Sequence, residues 1–306
     1  MTYAVLFPGQ GSQSVGMCPD VRTNNEGLYD EASAVLGWDL ESLIANGPDE
    51  VLTDTQHAQP ALYVTAYALW VLFTQTAARF PVAYGGHSLG EYTAHAAAGT
   101  FSFAEGLRLV AERGLAMTDA AGEAASGMAA LMGADEDLAE EVAAKRRAEG
   151  GALHVANINA PGQIVVAGGV DDLAWLDEHG RDLGVRRAIR LNVAGGFHSP
   201  FMQSARDRLD AALAKVVVDK PDANVYANAT AEVAPDIKRS LSEQLVTPVR
   251  FAQTLENMKR DGVDTFVHVG PGNVTAGLVK RTLSDVEVLT VSTVEEARSV
   301  SEALSV

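Results

Sequence analysis

"YGGHSLGEY", residues 84–92, places a serine between two glycines. The spacing Gly86-His87-Ser88-Leu89-Gly90 reads G-x-S-x-G, the pattern of a nucleophile elbow, in which a strand ends, the serine turns sharply and a helix begins. Glycine two residues before and two after the serine leaves room where the strand and helix backbones pass closest. An ordinary glycine loop matches five positions as well, so the neighbours decide. Before the pattern, "FPVAY" (Phe80 to Tyr84) is a short apolar run that suits a buried strand. After it, "EYTAHAAAG" (Glu91 to Gly99) is an alanine-rich helix former closing on Gly99. Strand, serine turn and helix in that order predict an α/β fold with the Ser88 hydroxyl at the mouth of a sheet.

The rest of the chain repeats this rhythm. "YAVLFPG", "PVAYGG", "DTFVHVGPG" and "VEVLTVST" are short β-rich runs separated by long alanine- and leucine-rich stretches, which argues for a mainly parallel sheet covered by helices on both faces. "QPAL" is expected to open a helix just after His57. Ser102 and Glu105 have capping-box spacing ahead of a helix that begins near Phe103, with Leu107, Val110 and Leu115 on its apolar side. Between Ser126 and Leu191 the order changes to βαββαβ, a ferredoxin-like split unit. Joins near 123 and 192 make residues 124–191 an inserted small subdomain, with 1–123 and 192–306 forming the large domain.

At 306 residues and 47% hydrophobic content the chain can bury a substantial core. A net charge of -17 argues against a nucleic-acid partner, which needs a basic face to displace counterions. An acidic partner would have to dock on a local basic patch, for which Lys280 and Arg281, or Arg250, are candidates. The single cysteine, Cys18, excludes an internal disulfide and a cysteine-based metal cluster and fits a reducing cytoplasm. No basic n-region opens the chain and no stretch approaches 18 consecutive apolar residues, so neither export nor membrane insertion is expected.

A serine hydroxyl is a weak nucleophile at neutral pH and needs a general base, usually histidine. Of seven histidines, His87 is adjacent to Ser88 and should point away from its hydroxyl, while His57, His95, His154, His179 and His268 suit structural or solvated roles. His198 differs: it lies in "NVAGGFHSPFM", irregular backbone with paired glycines before it and Pro200 after it. Charge developing on a substrate carbonyl must meet preorganised donors. The N–H of Leu89 is one, and the turn "FPGQGSQ" (Phe7 to Gln13) after the first strand is placed to supply a second. That turn lacks the lysine and following Ser or Thr of a P-loop.

"FPGQGSQSVGM", "QPAL", "GHSLGEY", "ERGLAM", "NINAPGQIVVAG", "GGFHSPFM", "TPVRF" and "VGPGNVTAGLVKR" occur in order over nearly the whole chain. Together they resemble the malonyl-CoA:acyl carrier protein transacylase family. The resemblance implies an α/β-hydrolase-like large domain joined to a ferredoxin-like small one. It implies Ser88 as nucleophile, His198 as its base, main-chain N–H groups of Gln10 and Leu89 as the oxyanion hole, and Arg113 as the binder of the malonyl carboxylate. It also implies a main-chain carbonyl, at Arg250, as the group that orients the histidine, and Asn159 as a residue lining the cleft between the domains. Malonyl-CoA and acyl carrier protein become the expected partners, with fatty acid or polyketide synthesis served and no metal or redox cofactor needed.

Other readings stay open on the sequence. A serine thioesterase or hydrolase shares the elbow but normally carries Ser, acid and His in that order, and the acids between Ser88 and His198 fall mostly in the small subdomain. A malonyl-loading subunit of a malonate decarboxylase and a non-catalytic carrier-docking domain are further alternatives.

Overall fold

The computed structural model describes residues 2–304; Met1, Ser305 and Val306, the outermost residues of the large-domain range, lie outside it. Strands β1 (Tyr3–Phe7), β2 (Ala83–Gly86), β3 (Ser126–Met132), β4 (His154–Ala160), β5 (Gln163–Gly169), β6 (Arg187–Arg190), β7 (Asn224–Val225), β8 (Thr265–Val269) and β9 (Glu287–Val291) form two sheets. The larger has the order β7-β2-β1-β8-β9, with every neighbouring pair parallel. Its central strands β1 and β8 are buried at every position, as a parallel sheet covered on both faces requires. The smaller has the order β4-β5-β3-β6, with every neighbouring pair antiparallel. The mainly parallel sheet and the small βαββαβ unit are both as the sequence predicts.

Three local expectations are corrected. The strand before the elbow starts at Ala83 and runs into the glycine pair, while Phe80 and Val82 are exposed, because the register that pairs Ala83 to Gly86 with Ala4 to Phe7 ends there. The helix assigned to "QPAL" begins at Thr55, carries Pro60 inside it and holds His57 in its first turn. On the Phe103–Glu123 helix, Leu107 and Val110 are buried but Leu115 is exposed; Arg113 and Gly114 face inward, with Gly114 against the backbone of Thr55 and Gln56. The capping box of Ser102 and Glu105 forms as predicted.

Alternation along the small sheet divides its faces. Ala129 and Leu131 of β3 pack with the Glu136–Ala148 and Val170–His179 helices, whereas Met128 and Ala130 join the core of the large sheet. The free edge of β4 is completed from outside the small unit. Ile158 N–H donates to the Val249 carbonyl at 2.8 Å and Val249 N–H to the Ala156 carbonyl at 2.9 Å. Arg250 and Gln253 then reach Glu136 of the small unit at 2.9 and 2.8 Å. Among the described residues no helix is long and apolar enough to cross a membrane.

Candidate active site

Register in the large sheet sets the site. Phe7 stands opposite Gly86, so β1 and β2 end level and the turn after β1 lies against the elbow. A Cβ on Gly9 would run into the His87 carbonyl, one on Gly86 into the Gly90 backbone and one on Gly90 into the Phe7 carbonyl. Ser88 itself has φ 50°, the left-handed conformation that turns the chain from β2 into the Gly90–Ala97 helix. Asn228, fully buried just after β7, pins the turn: its Oδ1 accepts Ser88 N–H at 2.6 Å, and its Nδ2 donates to the Gly86 carbonyl at 2.7 Å. Strain of this kind persists only when surrounding contacts hold it.

His198 comes from the glycine-rich loop and, like Ser88, is left-handed, with φ 57°. Its Nε2 lies 2.8 Å from Ser88 Oγ and its Nδ1 lies 2.7 Å from the Gln244 carbonyl. A carbonyl oxygen can only accept, so Nδ1 carries the proton and the Nε2 lone pair faces the serine hydroxyl. Burial, with the Arg113 charge beside it, pushes the His198 pKa down to about 3 and keeps the imidazole neutral. Gln244 therefore takes the orienting place that the resemblance assigned to Arg250. The Arg250 carbonyl is committed to the N–H and hydroxyl of Thr254 at the start of the next helix, and its guanidinium pairs with Glu136. The position an acid holds in a Ser-His-acid triad is filled by the Gln244 main chain.

Arg113 is not the surface partner of Glu112 or Asp119, which both pair with Arg208. It is 1% exposed and aims at the elbow. Nη1 donates to Gln59 Oε1 at 2.7 Å, and Nη2 donates to Ser88 Oγ at 2.9 Å and to Gln244 Oε1 at 2.8 Å. The guanidinium lies 5.4 Å from the centroid of the Tyr92 ring, a cation–π contact. Burial lowers its pKa, an effect opposed by Tyr92 and Glu91. No carboxylate forms a salt bridge with it among the described residues.

Ser88, His198, Arg113, Gln10, Leu89 and Asn159 all line one cavity of about 330 Å³ between the carboxyl end of the large sheet and the face of the small one. Backbone hydrogen bonds of the described turns and caps use neither Gln10 N–H nor Leu89 N–H. The Gln10 side chain is tied to Thr55 Oγ1 at 3.2 Å. Asn159 Oδ1 accepts from His87 Nε2–H at 2.7 Å, and His87 packs edge-on against Phe251. Met117, Met128, Val165 and Phe197 supply apolar wall. His95 and His268 are buried elsewhere against Thr100 and Thr275.

Gln59, Asn228 and Gln244 are the site residues that the sequence reading missed. Gln59 stood inside "QPAL" as a helix marker, and Gln244 lay just ahead of "TPVRF"; both motifs carried a signal, but for the segment rather than the residue. Nothing in "YANAT" marked Asn228.

A serine hydroxyl hydrogen-bonded to a neutral imidazole, with unspent N–H groups at a helix start and a buried cation in the same cavity, can form and resolve an acyl ester on an anionic acyl group. That is the chemistry of a serine acyltransferase, and the chain belongs to the acyl transferase domain family, whose model matches residues 4–302. It is 38% identical to the malonyl CoA-acyl carrier protein transacylase of Salmonella typhimurium over 99% of both chains. Its fold superposes on that of the malonyl CoA-acyl carrier protein transacylase from Coxiella burnetii with TM-score 0.95, 32% identity and coverage of 100% of this chain and 98% of that one. It likewise matches a malonyl-transacylase solved in complex with its type II polyketide-synthase acyl-carrier protein, with TM-score 0.94, 33% identity and coverage of 99% and 100%.

Proposed function

We propose that the protein moves a malonyl group from malonyl-CoA to the phosphopantetheine thiol of an acyl carrier protein by way of an ester on Ser88. The observation that carries this reading is the Arg113 guanidinium, buried in the cavity with no salt bridge to a carboxylate among the described residues and 2.9 Å from Ser88 Oγ. A buried guanidinium whose hydrogen-bond acceptors are the neutral oxygens of Gln59, Ser88 and Gln244 favours an acyl group that brings its own carboxylate.

In the first half, His198 Nε2 takes the Ser88 proton as Oγ attacks the thioester carbon. The oxyanion is received by the N–H groups of Gln10 and Leu89, the C–S bond breaks, and the proton passes to the departing coenzyme A sulfur. In the second half, His198 deprotonates the carrier's thiol, which attacks the ester carbon, and Ser88 Oγ leaves with the proton. The charge on His198 during each transfer is met by the Gln244 carbonyl at Nδ1. Protons and electron pairs balance within these groups, so the cycle needs no metal or redox cofactor, and its kinetics are ping-pong. Relatives with these names support fatty acid or polyketide synthesis as the destination of the malonyl group. The lone Cys18 supports a reducing cytoplasmic setting.

Intact-mass measurement after mixing with malonyl-CoA should show a gain of one malonyl group, absent in Ser88→Ala. An adduct that survives in Ser88→Ala would remove the serine from the mechanism, and prompt release of free malonate without carrier protein would instead mark a hydrolase.

A further inference from the structure

Glu91 lies one residue into the helix that follows the elbow, is fully buried and takes no part in the steps above. Its Oε2 accepts two donors, the Asn228 main-chain N–H at 2.9 Å and the Gln244 side-chain amide at 2.6 Å. Its Oε1 has no partner among the described residues. Gln244 connects this carboxylate to two groups at the reacting serine: Oε1 of the amide receives Arg113 Nη2, and the main-chain oxygen receives His198 Nδ1–H. The two ends of an amide are not independent. While Nε2 donates to Glu91, Oε1 must face Arg113; the flipped amide would set its NH2 against a guanidinium and its oxygen against a carboxylate.

Resting on the reading of Arg113 and His198 given above, we propose that Glu91 is a positioning residue, which acts through Gln244 to hold both the guanidinium and the imidazole at Ser88. A methionine or leucine of similar volume would fill the same space without the cost of burying a carboxyl group. Burial raises the Glu91 pKa to about 7, opposed by the bonds from Asn228 and Gln244 and by Arg113. Arg113 on the Phe103–Glu123 helix and Tyr92 on its own helix are the titratable groups coupled to it. A proton, when bound, has Oε1 to occupy and leaves Oε2 accepting both bonds, so the arrangement holds in either charge state.

The test is the single-turnover rate of Ser88 acylation, read by intact mass with malonyl-CoA and with acetyl-CoA. Glu91→Gln keeps an acceptor oxygen and should acylate within a few-fold of the native rate. Glu91→Met fills the volume without an acceptor and should slow malonyl acylation about 10- to 100-fold, the scale expected when a catalytic group shifts by about 1 Å. It should also lower the preference for malonyl over acetyl, because Arg113 is released along with His198. Gln244→Met cuts the same link from the other side and also removes the acceptor of Arg113 Nη2, so it should give at least the same two losses, and native values in it would overturn the proposal even if the Glu91 variant fails to fold. The double variant should be no worse than Gln244→Met alone, since the connection that Glu91→Met removes is already cut there. Native rate and preference in either methionine variant, or losses that multiply in the double, would overturn the proposal. Absence of any malonyl adduct on the native protein would instead refute the malonyl-transfer reading on which it rests.

Discussion

In the proposed transfer Arg113 selects the acyl group that Ser88 carries, because a neutral acyl chain brings no carboxylate to the guanidinium. Arg113→Ala should lower kcat/KM for malonyl-CoA by roughly 10²- to 10³-fold, the range for removing one partner of a buried charge pair, while retaining or raising the relative rate with acetyl-CoA. An unchanged malonyl-to-acetyl preference would return Arg113 to a packing role. Ser88 and His198 were legible in the sequence because each sits in a short motif with its own geometry, whereas Arg113, on a helix whose charged residues are ordinarily exposed, was legible only through the family resemblance of "ERGLAM". Gln244 was not, and the orienting carbonyl was sought six residues away at Arg250. Main-chain oxygens carry no residue signature, and Gln244 reaches His198 across 46 residues and Glu91 across 153. Such contacts belong to the fold and not to any local pattern.

The elbow is an element whose parts are glycines and one residue, Ser88, in left-handed conformation. A methyl group on Gly86 meets the Gly90 backbone, which cannot move without unseating the helix that starts there. Gly86→Ala should therefore cost at least about 1–3 kcal/mol, the usual price of overpacking, and should abolish acylation. Gly277→Ala serves as the contrast. This glycine is exposed within the Val274–Thr282 helix with open space where its Cβ would stand, so alanine should stabilise the protein by up to about 1 kcal/mol. Thermal unfolding of both variants checks the pair, and equal effects would show that the elbow tolerates side chains. The order of elements was legible because strand, glycine turn and helix have distinct compositions. The edges were less so: hydrophobicity alone drew Phe80 and Val82 into β2, whereas pairing with β1 governs where the strand begins.

For the whole molecule, the histidines left inside the fold set its response to acid. Burial lowers the pKa of His95 and His198 to about 3 and of His268 to about 4, so all three are neutral in the fold yet take protons in the unfolded chain below about 6.5. Glu91 works in the opposite sense: raised to about 7, it keeps a proton in the fold that the unfolded chain releases above about 4.5. Between those limits these three histidines gain up to three protons in the unfolded chain against the one that Glu91 keeps in the fold, a net of two, and His87 and His154, also lowered by burial, add in the same sense. Stability should therefore fall as the pH drops from 6.5 to 5, His95, His198, His268 and Glu91 together contributing a slope of up to about 2.7 kcal/mol per pH unit. Urea unfolding across that range checks this; Glu91→Gln should steepen the slope, and a flat native profile would contradict the neutral imidazoles. The small sheet was legible as a unit from its own alternation of strands and helices, but its attachment was not, because the rung between β4 and Val249 joins segments far apart in the chain. That rung bears on how such enzymes can be recombined. A cassette cut at the two joins near 123 and 192 would leave behind the strand residue that completes its sheet and, a few positions upstream, the Gln244 carbonyl that accepts from His198 Nδ1–H. The piece that can be exchanged intact between relatives is therefore the small sheet together with the Gln244 to Arg250 segment, while Arg113 stays behind in the large domain.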